Sequence, residues 1–118
     1  MKNILVTGGS GFIGSNLTLE LQKRFPEALI TVLEDFRSSS FKNLPGFKGD
    51  ILAFNCADKA WLSWAKGRKL DIIYHMASIT DTTIHDERKM MFDNVEGFRN
   101  ILALGAEKKA PVIYASSA

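Results

Sequence analysis

Lys2-Asn3-Ile4-Leu5-Val6-Thr7-Gly8-Gly9-Ser10-Gly11-Phe12-Ile13-Gly14 decides the fold. An apolar run rich in β-branched residues breaks into glycines, and a helical period follows at once. Ile13, Leu17, Leu21 and Phe25 are four apart, which predicts an apolar helix face, and Pro26 stops the helix. A glycine turn between a strand and a helix is where a dinucleotide-binding loop sits. Backbone must approach a pyrophosphate there, and a Cβ would obstruct it. The helix N-terminus then offers unpaired N–H groups and the positive end of its dipole. Two spacings fit: Gly9-x-Gly11-x-x-Gly14 and Gly8-x-x-Gly11-x-x-Gly14. A nucleoside-triphosphate loop does not fit, because Ser15 and Asn16 stand where its lysine would follow Gly14. The plain structural alternative is a turn that only packs a helix closely on a sheet.

The second apolar run, Ala28 to Leu33, ends in Glu34-Asp35, and Glu34 lies twenty positions after Gly14. An acid at that distance accepts hydrogen bonds from the adenosine ribose of NAD and repels a 2′-phosphate. Arg37 offers a partner for such a phosphate, so NADP is the alternative cofactor. A loop with Ser38 to Ser40, Pro45 and Gly46 leads to a short segment from Phe47 to Ile51. Asn55 is the expected cap of a helix carrying Trp61 and Trp64, with Asp58 in its first turn and Gly67 ending it. Both tryptophans read as packing.

The fourth run, Asp71 to Ala77, precedes a polar loop from Ser78 to Thr83. The longest helix is expected to bury Met91, Val95, Phe98 and Leu102, with Met90 and Met91 in the core, and to reach Lys109. Pro111 to Ser117 is the fifth run. Strands alternating with helices predict an α/β fold, a doubly wound parallel sheet of strand order 3-2-1-4-5, as a single domain over residues 1–118.

Of the 118 residues, 46% are hydrophobic and 24% charged, the balance of an ordinary globular domain. Fifteen Lys+Arg against thirteen Asp+Glu leave +2, interspersed along the chain, which signals neither a nucleic-acid face nor an acidic-membrane face. Cys56 is the lone cysteine and has no Cys/His neighbours at metal-ligand spacing, so neither a disulfide nor a zinc site is expected. No apolar run is long enough for a bilayer, and the start lacks a secretory core, so a cytoplasmic location is expected. His75, at a strand end, reads as a hydrogen-bonded structural residue, and His85 is not its catalytic partner. Ser116 and Ser117 form no nucleophile elbow.

The motifs Thr7-Gly8-x-x-Gly11-x-x-Gly14, Gly49-Asp50-Ile51, His75-Met76-Ala77-Ser78, Asn94-Val95-Glu96-Gly97 and Tyr114-Ala115-Ser116-Ser117-Ala118 resemble the extended short-chain dehydrogenases/reductases, the NAD-dependent epimerase/dehydratase family. The likeness runs over essentially the whole chain and favours the Gly8 spacing. Within the family, Val32 to Arg37, Phe47 to Asp50 and Ser78 to Thr83 are most similar to the ADP-glycero-manno-heptose 6-epimerases of lipopolysaccharide core synthesis. The resemblance implies a Rossmann-type fold and amides of Phe12 and Ile13 on the pyrophosphate. It implies Glu34 and Asp35 at the ribose, and Asp50 and Ile51 beside adenine. Ala77, Ser78 and Asn94 are implied along the cofactor, and Ser117 at the reacting sugar hydroxyl or keto group.

The chemistry implied is a transient hydride transfer to NAD(P), with a tyrosine acidified by a lysine removing the sugar hydroxyl proton. The required Tyr-x-x-x-Lys is missing, since Tyr74 is followed four later by Ser78 and Tyr114 by Ala118. The expectation is therefore the N-terminal, cofactor-binding part of a longer nucleotide-sugar epimerase, without a substrate domain and inactive alone. A UDP-sugar 4-epimerase or sugar dehydratase fragment is the neighbouring alternative, and a non-catalytic dinucleotide-binding module the alternative outside the enzymes. A nucleotide-sugar is the expected substrate of the longer protein. The fifth strand, exposed at the sheet edge, predicts self-association and hence a homo-oligomer.

Overall fold

The computed structural model describes residues 2–9, 11–35, 41–77 and 87–114. In chain order they form β1 (Asn3–Thr7), α1 (Phe12–Arg24), β2 (Leu29–Leu33), β3 (Asp50–Leu52), α2 (Leu62–Ala65), β4 (Ile72–His75), α3 (Glu87–Lys108) and β5 (Val112–Tyr114). All four strand pairings are parallel, in the order β3-β2-β1-β4-β5. This is the expected Rossmann-type arrangement. Because every strand points the same way, all five carboxyl ends lie on one edge, next to the starts of α1 and α3.

Both faces of the sheet are covered, which is why the strands read as nearly continuous apolar runs. Ile4, Val6 and Ile30 pack with Leu21 of α1 on one face. Leu5, Leu33 and Ile73 pack with Trp61, Ile101 and Leu104 on the other. Trp61 is almost completely buried, and its indole N–H donates to the Cys56 carbonyl at 3.1 Å. Deleting that ring would cost about 3–5 kcal/mol.

Three sequence expectations are corrected here. In α1 the buried residues are Gly14, Ser15, Thr18 and Leu21, while Ile13 is 64% exposed and Phe25 lies outside the helix. Small residues face the sheet because α1 begins almost in contact with the turn before it, which leaves no room for Ile13 on that side. In α3 the buried positions among the described residues are Asp93, Gly97, Asn100, Ile101, Leu104 and Gly105, whereas Met91, Val95 and Leu102 are exposed. Polar Asp93 and Asn100 take the inward face because they bond the loop below, so apolar spacing alone picked the wrong side. The cap before Trp61 is Asp58, which accepts the Ala60 N–H; Asn55 instead closes its own turn on the Ala57 N–H. Gly67 does end that segment, at φ +75°, and Lys109 at φ +55° ends α3. No helix among the described residues is long and apolar enough to cross a membrane.

Candidate functional site

At the carboxyl edge, β1 runs into a turn whose shape depends on its glycines. Gly8 has φ +68°, a conformation that L side chains rarely adopt, and a Cβ there would lie 2.7 Å from the Ala77 nitrogen. A Cβ on Gly14 would overlap the Gly8 carbonyl oxygen. These two glycines are therefore needed by the chain's own packing. Gly11 is different. Its backbone is extended (φ −69°, ψ 174°), and among the described residues a Cβ would meet only the Gly8 carbonyl oxygen, at an ordinary 3.5 Å. Packing among the described residues does not demand glycine there, whereas a group approaching from outside would.

Gly11 is also the residue before α1, and its carbonyl accepts the first helical bond, from the Ser15 N–H at 2.7 Å. The amides of Phe12, Ile13 and Gly14 thus open the helix, the position at which N–H groups and the dipole favour an anion. The Phe12 and Ile13 side chains point away from the core, 83% and 64% exposed.

The acidic end of β2 is tied to this turn. The Gly8 N–H donates to the Leu33 carbonyl at 2.8 Å, so Glu34 is the next residue beyond that anchor. The Glu34 N–H donates to Leu52 of β3 at 2.9 Å, and the Asp35 N–H to Glu34 Oε2 at 3.1 Å. Both acids are half-buried. Asp50 and Ile51 pair with Thr31 and Val32, two and one residues short of the level of Leu33. The side chain of Asp50 is exposed and that of Ile51 half-buried.

Thr7, fully buried at the end of β1, is the polar centre of this edge. Its Oγ1 accepts the Ala77 N–H at 3.1 Å and lies 2.7 Å from His75 Nδ1. The Cys56 thiol is within hydrogen-bonding reach of the same hydroxyl. The Met76 N–H donates to the Thr7 carbonyl at 3.1 Å. Burial pushes His75 down to about 4, so the ring is neutral near pH 7. It stacks on Phe98 of α3 with centroids 5.4 Å apart, and Phe98 meets Tyr114 edge-on at 5.0 Å. Burial pushes the Cys56 thiol up to about 12; the Thr7 hydroxyl opposes the rise, and the carboxylates of Glu34 and Asp35 add to it. His75 is thus a hydrogen-bonded structural residue, as its position suggested.

Above Cys56, α3 clamps the loop. Asn100 Nδ2 donates to the Cys56 carbonyl at 2.9 Å, and Asn55 Nδ2 to Asp93 Oδ2 at 3.2 Å. Asn94 is half-buried one turn before Phe98, which places it past the end of β4. The fold therefore gathers Gly8, Gly11, Gly14, the Phe12 and Ile13 amides, Glu34, Asp35 and Ala77 at one edge, with Asn94 above it. Asp50 enters from one strand further out. Arg37, Ser78, the Thr80 to Thr83 stretch, His85 and Ser117 lie outside the described residues. The linked polar set of Asn55, Cys56, Asp93 and Asn100 escaped sequence reading. A polar residue every third or fourth place in α3 was its only trace.

The glycine cradle, the opening amides and the tethered acid fit a dinucleotide. Bound there, the diphosphate would meet the amides of Phe12 and Ile13, and Glu34 would take the ribose hydroxyls. Among the described residues no His, Cys, Asp and Glu group is arranged to hold a metal ion.

Comparison with known proteins agrees. The chain is similar to an ADP-L-glycero-D-manno-heptose-6-epimerase of Brachyspira hyodysenteriae, 35% identical over 117 residues, covering 98% of this chain and 37% of that protein. It is 32% identical to a UDP-N-acetyl-alpha-D-glucosaminuronate decarboxylase of Bacillus cytotoxicus, over 98% of this chain and 36% of that protein. Among solved structures, the Helicobacter pylori ADP-L-glycero-D-manno-heptose-6-epimerase superposes with TM-score 0.90 at 41% identity, over 99% of this chain and 39% of that one. The chain thus spans little more than a third of the length of these relatives. The sequence pattern of the NAD dependent epimerase/dehydratase family matches residues 4–118, and the chain belongs to that family, whose cofactor is NAD.

Proposed function

We propose that this chain is the NAD-holding part of a nucleotide-sugar epimerase, with an ADP-bound glycero-manno-heptose as the sugar and inversion at its C6 as the reaction. The substrate assignment is supported by the likeness to two 6-epimerases at 35% and 41% identity. The placement of NAD is supported by one observation: among the described residues nothing requires Gly11 to be glycine, yet it stands at the helix start, bonded to Gly8, whose own N–H is anchored on Leu33 next to Glu34.

Bound NAD would supply reversible hydride acceptance. The residues here bind and orient: helix-start amides of Phe12 and Ile13 hold the diphosphate, and Glu34 and Asp35 hold the adenosine ribose. Asp50 and Ile51 border the adenine, and Ala77, Ser78 and Asn94 line the path toward the nicotinamide. Ser117 hydrogen-bonds the reacting sugar oxygen. No Tyr-x-x-x-Lys occurs in the 118 residues, so they hold no general base of that kind and do not turn over alone.

Titration calorimetry with NAD tests the first half: saturable one-to-one binding is expected, and no heat with NAD overturns it. Incubation with the ADP-heptose tests the second, and epimerisation by these 118 residues would overturn it.

A further inference from the structure

We propose that the amino edge of the sheet carries a second binding site, a cavity that takes a small aromatic carboxylate between Thr31 and Arg68. It lies at the opposite end of β1 and β2 from the glycine turn and does not depend on the NAD reading.

The cavity exists because α2 is a single turn. Trp61, Ile101 and Leu104 cover Leu5, Leu33 and Ile73 on this face of the sheet. Below them α2 stops at Ala65, and the chain turns at Gly67 toward β4. A space of about 150 Å³ is left under the starts of β1 and β2, the size that admits one benzene ring. The strands contribute Asn3, Leu29 and Thr31 to its lining, and the connection from α2 to β4 contributes Trp64 and the exposed Arg68 and Lys69.

Two features ask for a ligand with an apolar body and a negative charge. Thr31 is 2% exposed, and strand alternation puts its side chain on the same face as Leu29 and Leu33. Its hydroxyl bonds nothing among the described residues, yet it is not sealed in the core, since the one sealed and unbonded hydroxyl among them belongs to Thr18. It therefore opens on the cavity. Valine would fill the same space with no polar atom to satisfy, so the hydroxyl is of use to a group that enters. Arg68 supplies the charge. Its Nε donates to the Trp64 carbonyl at 2.8 Å, and its guanidinium lies 5.1 Å from the Trp64 ring centroid. These contacts hold the fork, while neither Nη has a partner among the described residues. A held fork of that kind matches the two oxygens of a carboxylate. Lys69 adds a second positive charge. Asp71, the nearest acid in the chain, accepts the Asn3 N–H at 2.7 Å and does not line the cavity. Trp64 and Leu29 offer apolar surface to the body of the ligand.

The test is a benzoate titration of the nitrogen-labelled chain, followed by nuclear magnetic resonance. Saturable shifts are expected at the Trp64 indole N–H and the Thr31 amide, with the Trp61 indole unmoved. Acetate carries the charge without the ring, and benzamide the ring without the charge; each should bind roughly tenfold more weakly, the loss of about one good contact. Arg68→Gln should weaken benzoate about tenfold, the range for a hydrogen bond to a charged group, and Thr31→Val about threefold to tenfold. Thr31→Val should also keep or raise Tm, because it deletes a hydroxyl that the fold leaves unbonded; a lower Tm with unchanged benzoate affinity would make that hydroxyl structural and overturn the inference. Lys48→Gln alters a cation of the same edge outside this cavity and should leave benzoate binding as it was. A loss there equal to that of Arg68→Gln would reduce the effect to general charge attraction and overturn the site. Saturating NAD should leave the benzoate shifts in place, and their disappearance would assign benzoate to the dinucleotide site instead. Absence of saturation, or equal affinities for benzoate and acetate, would mean that the cavity holds only water. Because the shifts are read without NAD, a chain that bound no NAD would sink the proposed function and leave this inference to its own result.

Discussion

The two edges of the sheet are made from the same five strands and are opposite in charge. At the carboxyl edge Thr7, His75 and Cys56 are buried, Thr7 bonded to His75, with Glu34 and Asp35 half-buried beside them. At the amino edge Lys2, Lys48, Arg68 and Lys69 precede strands, and Lys23, Arg24, Lys66, Lys108 and Lys109 close helical segments. Only Glu20, Glu27, Asp71 and Glu107 offset those nine cations, which leaves six cations and nine acids for the rest of the chain. A run-by-run reading finds these charges interspersed; the parallel topology sorts them. Every helix ends on the amino edge, where cations complement its dipole, and begins on the carboxyl edge, where an anion does. An acid near an anion site is costly unless hydroxyls need it, which is why Glu34 suits a ribose rather than a phosphate.

The comparison breaks most visibly at the glycines. Gly8→Ala and Gly14→Ala are expected to destabilise the fold by about 3 kcal/mol each, from a left-handed backbone in one and overpacking in both. Gly11→Ala should keep the wild-type urea midpoint and lose NAD binding. Equal stability losses at all three positions would mean the turn is only a packing device.

The second largest effect is on pH. The fold favours neutral His75, with a value of about 4 against 6.5 in the unfolded chain. Between those values the unfolded chain takes up the proton and the native one resists it, so stability falls as pH drops from 6.5 to 4. The loss reaches about 3 kcal/mol at most. Cys56 acts at the other end: the unfolded thiol ionises above 9 and the native one near 12, so stability also falls as pH rises through that window. Urea midpoints across pH measure both, and His75→Asn should flatten the acid limb.

Strand order and the glycine turn were legible because they rest on local patterns: short apolar runs, a turn and an acid at a fixed distance. The inward faces of α1 and α3 were not. Ile13 and Met91 carry the strongest helical period, yet contact with the turn and the polar clamp on Cys56 rotate both residues outward. Thr7 and His75 were visible as residues but not as a pair, since sixty-eight positions separate them. Nothing local in a sequence encodes such a bond.

Glu34→Gln keeps the shape and removes the charge. NAD affinity should fall about tenfold, the range for a hydrogen bond to a charged group. The ratio of NADP to NAD affinity should rise, because the repulsion of a 2′-phosphate is gone. Competition binding with the two nucleotides reads both, and an unchanged ratio would assign the discrimination to Asp35 or to residues beyond it.

The smallest effect belongs to the amino edge. Arg68 is exposed and lies over the Trp64 ring, 5.1 Å from its centroid. Arg68→Glu with Lys69→Glu should cost roughly 1 kcal/mol, mostly that contact. A strand of five residues spans about 17 Å, longer than the Debye length of about 10 Å at 0.1 M salt. At that ionic strength the reversal should leave NAD affinity unchanged. At 0.01 M, where the Debye length is about 30 Å, it should weaken the binding of an anionic dinucleotide measurably. A salt-independent loss would mean that the two edges are coupled through packing, most directly along β4, which runs from Ile72, four residues after Arg68, to His75 at the site.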